Sequence, residues 1–339
     1  MVLEKSVQTS LAAAMTLGFK EGLFYRNARL RALNLLLTYD QGCSANCSYC
    51  GLSRSRKKSE TFIRVSWPTY PLQKIIDSSQ VVTEQVQRVC VSMVTHPKAF
   101  TDLCQTAKEV REQTPYPVSA LITPTLVKTK EQFEEIQRAG VDRVGIAIDT
   151  ATEDLFQKLR GRLVQGPHSW EDYWLGIRQA VEVFGRGMVG VHLVVGLGET
   201  EEEMVKTIQR AFDLGAVTHL FSFFPERGTA LETQPQPPLG MYRRVQLSRY
   251  LINESLADAE QMAFNSKGQV FDFGIEPNRL EKIIQEGEAF MTSGCPGHDG
   301  KVACNRPFGN ERPSQPIRNF PFPPEEEDLK DIREQLLQY

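Results

Sequence analysis

The sequence predicts an α/β chain built on a partial (βα)6 TIM-type barrel, with an N-terminal helical segment and a C-terminal extension. Three observations point there. Short β-branched or apolar runs recur six times along the chain. Helical patterns with their own start and stop signals separate these runs. A tight cluster of cysteines follows the first run at once, at the strand end where barrel proteins carry their sites. Residues 1–32 read as the N-terminal helical extension, 33–262 as the barrel, and 263–339 as a C-terminal extension carrying further cysteines.

The expected strands are Leu33–Tyr39, Arg88–Val94, Pro117–Thr123, Arg143–Asp149, Val189–Val195 and Thr218–Phe224. Several are unbroken apolar runs, as befits parallel strands covered on both faces. Between them, Thr200-Glu-Glu-Glu203 reads as a capping box, Thr129 with Gln132 and Ser169 with Asp172 repeat the start signal, and Gly140, Gly185 and Gly215 stand where helices stop. Periodicity alone leaves a doubly wound sheet open as the alternative; six units rather than eight favour a barrel open along one side. Past residue 263 the alternation ends, and a charged helix over 325–338 closes the chain.

Composition narrows the function. Of 339 residues 41% are hydrophobic and 24% charged, which excludes a disordered chain, and a net charge of −3 gives no electrostatic footprint for nucleic acid. No apolar run approaches the roughly 18 residues that span a bilayer, so no membrane association is expected. Leu11 to Gly18 weakly resembles a signal-peptide core but lacks a preceding charged run, so an amphipathic helix and a cytoplasmic protein are expected. The seven cysteines are odd in number and clustered, which suits metal chemistry in a reducing compartment better than a disulfide framework.

Three of them stand in Cys43-Ser-Ala-Asn-Cys47-Ser-Tyr-Cys50. Thiolates at these gaps can hold three corners of an iron–sulfur cubane and leave the fourth iron open. The competing structural zinc site needs closed four-coordination, and no partner pair of Cys or His lies nearby in sequence. The pattern resembles the signature of radical S-adenosylmethionine (radical SAM) enzymes. That resemblance implies a 4Fe–4S cluster on Cys43, Cys47 and Cys50, S-adenosylmethionine on its open iron, and Tyr49 near the adenine. Gly190-Val-His-Leu-Val-Val-Gly196-Leu-Gly-Glu199 resembles the strand-five glycine motif, with Gly196 helping to hold adenine. Ile148-Asp149-Thr150 and Phe224-Pro-Glu-Arg-Gly228 resemble the biotin synthase branch; there Asp149 faces ribose or substrate, while helix capping is its alternative role. Arg160 or Arg162 could pair with the methionine carboxylate.

Cys90, in the second strand, matches a biotin synthase position that helps hold a sulfur-donating cluster, yet the expected cysteines on strands three and five are absent (Ser119 and Gly190 to His192). Instead the tail holds Cys295-Pro-Gly and Cys304-Asn-Arg-Pro-Phe. With Cys90-Val-Ser-Met-Val-Thr-His-Pro97, this tail resembles the archaeal-type two-component lipoyl synthases. That resemblance implies a second, auxiliary 4Fe–4S cluster on Cys90, Cys295 and Cys304, its fourth ligand being Cys104 or a serine such as Ser293. It further implies sulfur insertion into a protein-bound octanoyl chain, an octanoylated carrier protein or lipoyl domain as substrate, a sister radical SAM subunit, and a ferredoxin or flavodoxin-type electron donor. The basic run Arg54 to Lys58 is either solvated surface or a dock for an acidic partner. A small-metabolite enzyme of the same branch without sulfur donation, and a zinc-stabilised non-catalytic scaffold, remain the alternatives.

Overall fold

Continuous runs of Leu, Val and Ile separated by capped amphipathic helices force strands to bury both faces, and the computed structural model shows how they do it. It describes residues 5–56, 61–311 and 316–339. The strands are β1 (Ser6–Thr9), β2 (Ala32–Leu37), β3 (Thr61–Ile63), β4 (Val65–Ser66), β5 (Thr69–Pro71), β6 (Arg88–Ser92), β7 (Val118–Ile122), β8 (Val141–Asp149), β9 (Val189–Val195), β10 (Val217–Ser222), β11 (Ala263–Phe264) and β12 (Val270–Asp272). All six expected strands are present, shortened by a residue or two at some ends.

The main sheet runs β10-β9-β8-β7-β6-β2-β1-β5. Strands β2, β6, β7, β8, β9 and β10 pair in parallel, each beside the next of the six in chain order. That order never reverses, which separates a barrel from a doubly wound sheet, where a reversal marks the binding crevice. The sheet does not close. β1 pairs antiparallel with β2, and β5 antiparallel with β1, so the N-terminal segment, expected to be helical, also adds a strand beyond β2. A short helix, α1 (Leu11–Thr16), follows β1.

Helices α2 (Leu72–Ser79), α3 (Ala99–Gln113), α4 (Lys130–Arg138), α5 (Glu153–Leu159), α6 (Trp170–Phe184), α7 (Glu201–Asp213) and α8 (Leu239–Asn253) alternate with the strands. Thr129 and Thr200 each form a complete capping box, and Ser169 caps α6 through the Asp172 N–H. Val144, Ile146 and Ile148 of β8 and Val191, Leu193 and Val195 of β9 are fully buried towards these helices; the alternate positions Ala147, Asp149, His192 and Val194 face an internal cavity.

The C-terminal extension carries α9 (Pro277–Glu286), α10 (Arg306–Asn310) and α11 (Glu326–Leu336). Buried arginines of α8 hold it. Arg243 donates to Arg318 O at 2.7 Å and Gln335 Oε1 at 2.8 Å, while Arg244 pairs with Glu201 at 2.6 Å and reaches Gln338 O at 2.6 Å. Among the described residues no helix is long and apolar enough to cross a membrane.

Candidate active site

The loop after β2 carries Cys43, Cys47 and Cys50, and the short polar residues between them anchor it. The Ser44 N–H and hydroxyl both donate to Thr95 O at 2.8 Å. The Asn46 side chain donates to Val164 O at 2.8 Å, and the Ser48 N–H to Leu159 O at 2.7 Å. Thus fixed across the strand ends, all three cysteines line one cavity of about 220 Å³. Burial raises the Cys47 thiol to about 12, with Arg160 opposing, and raises Cys50 as well. Thiols so held stay protonated until a metal displaces the proton.

Beside them lies a polar network. The Tyr49 hydroxyl donates to Asp149 Oδ2 at 2.5 Å; Arg160 Nη1 donates to the same oxygen at 2.6 Å and to Ala147 O at 2.6 Å; and Arg160 Nη2 donates to the Tyr173 hydroxyl at 2.8 Å. Asp149 ends β8 with φ of +64°, a conformation rare for a residue with a side chain, at a register shift between β8 and β9. Its carboxyl is held above the usual carboxylate range by burial, against the pull of Arg160 and the Tyr49 hydrogen bond. Burial and Arg160 drive His168 down to about 2, so a neutral ring closes this network against Thr125 at 2.6 Å.

A second thiol group sits deeper. Cys90 lies one same-face step below the cavity-lining Ser92 on β6, and Cys295 and Cys304 pack against it. A hairpin brings the tail cysteines together: the Ala303 and Cys304 N–H groups both donate to Cys295 O at 3.0 Å, and Pro296 bridges Val302. Gly294 is required there, since a Cβ would stand 1.8 Å from Cys304 O. Arg88 docks the hairpin, donating to Pro296 O at 2.6 Å while gripping Asp142 with both terminal nitrogens at 2.5 and 2.7 Å. The Cys304 side chain draws the Cys90 thiol down against burial, with Arg306 adding to the pull; Cys295 is raised to about 11 by burial. Among the described residues no three His, Cys, Asp or Glu side chains converge on a single ion.

Residues 39–211, just over half the chain, match the radical SAM superfamily. The chain belongs to that family. This radical SAM protein is 23% identical to a biotin synthase of Staphylococcus haemolyticus over 288 residues, covering 77% of this chain and 84% of the relative. It is also 32% identical to a GTP 3',8-cyclase of Rippkaea orientalis over 80 residues, 23% of this chain and 24% of that protein. Among solved structures, methylornithine synthase superposes with a TM-score of 0.51 at 15% identity over 71% of this chain and 66% of its own. HydG, a maturase of the FeFe-hydrogenase, superposes at 0.53 and 13% identity, over 71% of this chain and 53% of its own. These likenesses show the fold.

Family membership implies a 4Fe–4S cluster and S-adenosylmethionine. The donor set fits, because Cys43, Cys47 and Cys50 stand on one anchored loop facing one cavity and leave room for a fourth, non-protein ligand.

The structure gathers Tyr49, Asp149 and Arg160 with the three cysteines, although it commits Arg160 to Asp149 rather than leaving it free for a methionine carboxylate. Gly196 is not on the cavity wall: Glu199 takes its N–H at 2.6 Å, Gln234 its carbonyl at 2.7 Å, and Pro237 covers its Cα. Cys104 rides on α3 against the main core, outside the second thiol group, and the Ser293 hydroxyl bonds His219 Nδ1 at 3.0 Å. Of the basic run, Arg56 pairs with Glu226 at 2.7 Å with both side chains 6% exposed, which removes it from a solvated docking face, and Lys57 and Lys58 lie outside the described residues. Sequence reasoning missed Arg306, whose Nη1 donates to Ser92 at 2.7 Å, and the cavity-lining His192. It also missed Ser119 as a partner of the second group. A signal existed: Asn34, Cys90, Ser119 and Arg143 occupy one register row across four apolar strands.

Proposed function

We propose that this protein inserts sulfur into an octanoyl chain carried on a protein lysine, as a subunit of a lipoyl synthase. The observation that carries the reading is the second thiol group. Cys90, Cys295 and Cys304 gather inside the barrel below the wall that Cys43, Cys47 and Cys50 line, although the sequence separates them widely. When bound, a reduced 4Fe–4S cluster with S-adenosylmethionine supplies a carbon radical able to take hydrogen from an unactivated C–H bond, and an auxiliary 4Fe–4S cluster supplies sulfide.

The chain's own residues suit that task. Leu121, Val194, Phe221 and Phe223 give the cavity an apolar wall along which a saturated chain can lie with water excluded. Arg306 lines the cavity and lies within the electrostatic reach of Cys90 and Cys304 as well as of Asp149 and Cys50. A fixed cation there lowers the repulsion between two anionic centres. Tyr49, Asp149 and Arg160 hold the polar end of the cavity rigid. The partners that follow are an octanoylated carrier protein or lipoyl domain, a sister radical SAM subunit and a ferredoxin or flavodoxin-type donor, in the reducing cytoplasm.

Iron and sulfide content of the anaerobically reconstituted protein tests this. About eight irons per chain, falling to about four in Cys295→Ala and in Cys304→Ala, with thiolated product from an octanoyl-lysyl peptide, is the expected result. About four irons, untouched by either substitution, would remove the sulfur donor and leave a branch enzyme acting on a small metabolite.

A further inference from the structure

An acyl chain joined to lysine is apolar along its methylenes and carries one polar group, a secondary amide with a single N–H to donate. The cavity wall matches that description. Its polar side chains mostly serve one another: Tyr49, Asp149, Arg160 and Tyr173 form one network, and Ser92 receives Arg306 at 2.7 Å. Among the described lining residues, two buried side-chain atoms have no hydrogen-bond partner, Arg160 Nε and Asn310 Oδ1. The first belongs to a guanidinium whose other nitrogens are engaged. The second belongs to a residue 5% exposed at the end of α10, one turn after Arg306 and so on the same side of that helix. Phe308 in the main core and the bond from Arg306 to Ser92 fix α10 in place. An acceptor kept dry and unpaired is costly, and a donor entering the cavity relieves that cost. The neighbouring carboxylate is already taken: Glu311 receives Arg64 on one oxygen and Asn319 on the other, each at 3.4 Å.

We propose that Asn310 Oδ1 accepts the amide N–H of the acyl-lysine substrate and makes this chain selective for amide-linked over ester-linked acyl groups. The inference rests on the sulfur-insertion reading, which supplies the acyl-lysine. Asn310 is a positioning residue, and no bond is made or broken at it. An ester oxygen in place of the N–H has no hydrogen to give, so the acceptor stays unpaired when such a chain binds. A buried acceptor left in that state lowers affinity by about tenfold to a hundredfold.

Two peptides that differ at one atom test this. One carries octanoyl-lysine, and the other is its ester analogue, with oxygen in place of the amide nitrogen. Fluorescence anisotropy of the labelled peptides gives their affinities for the anaerobically reconstituted full chain with S-adenosylmethionine and no reductant. The expected result is a preference for the amide of about tenfold or more, lost in Asn310→Leu and kept in Asn310→Asp, because aspartate retains an acceptor oxygen. Affinity for S-adenosylmethionine, equal in all three proteins, shows that neither substitution has disturbed the fold. A preference that survives Asn310→Leu would overturn the assignment, as would a wild type that binds and thiolates the amide peptide without preferring it; sulfur insertion would stand in both cases. Binding of neither peptide, with about four irons that Cys295→Ala leaves untouched, would instead defeat the sulfur-insertion reading itself.

Discussion

Replacing Arg160 by leucine isolates the Asp149 carboxylate. The two side chains are 5% and 16% exposed and meet at 2.6 Å, and the same guanidinium also serves Ala147 O and the Tyr173 hydroxyl. Removing one partner of a fully dry ion pair costs about 3–5 kcal/mol. The residual exposure of Asp149 to the cavity and its surviving bond from Tyr49 place the expected loss near about 3 kcal/mol at pH 8. The loss should depend on pH in a definite sense. Burial already raises the folded Asp149 carboxyl, and deleting the opposing cation raises it further. A raised folded value means that the folded state binds the proton more tightly than the unfolded chain. The variant therefore gains stability as pH falls, and its deficit shrinks towards pH 5. Urea denaturation of the cluster-free protein at pH 8 and pH 5, followed through Trp170 and Trp174, measures both quantities. In an Asp149→Asn background the leucine substitution should cost less, because no charge is left to isolate. A loss under about 0.5 kcal/mol at pH 8, or one that does not shrink at pH 5, would refute the argument.

Gly294→Ala should abolish about half of the reconstituted iron while the Cys43, Cys47 and Cys50 cluster survives, because its Cβ would collide with Cys304 O and part the tail cysteines; iron analysis decides it. Glu199 is held at about 7 by burial against the Gly196 and Leu197 N–H groups. Its contribution is thus present below the ordinary glutamate range and lost as pH rises through about 7, by up to about 3 kcal/mol, and Glu199→Gln should flatten that slope in urea melts between pH 5 and pH 8. Glu201→Gln leaves Arg244 buried without its carboxylate and frees the α11 end that Arg244 holds; a loss of about 3 kcal/mol and faster proteolysis near residue 336 are expected.

The barrel was legible because parallel strands leave unbroken apolar runs and capped helices leave local signals, both readable within a few residues. Cys43, Cys47 and Cys50 were legible for the same reason, being one short loop. Arg160 was found but its use was not. That Asp149 claims it depends on a left-handed residue at the end of β8, which nothing in Ile148-Asp149-Thr150 announces. Gly196 has a structural reason of its own to be glycine, in Pro237 packing on the Cα and a φ of +105°, which the motif does not announce. Arg306 was hidden because its bond to Ser92 forms only when the tail meets β6, a contact between segments far apart in sequence. The strand β1 was missed because four residues carry too little period to stand out beside the helix that follows.

The sheet stops at β10 on one side and at β5 on the other, and α10 with the tail hairpin fills part of what a closed barrel would wall off. The seam therefore has a history. During synthesis the strands and the Cys43 loop emerge first, and the segment that completes the interior emerges last. Until Arg88 captures Pro296 and Arg306 reaches Ser92, the tail does not cover the inward faces of β6 and β7. Docking of the tail then brings Cys295 and Cys304 against Cys90 and covers those faces in a single movement, so closure of the interior is ordered by the direction in which the chain is made.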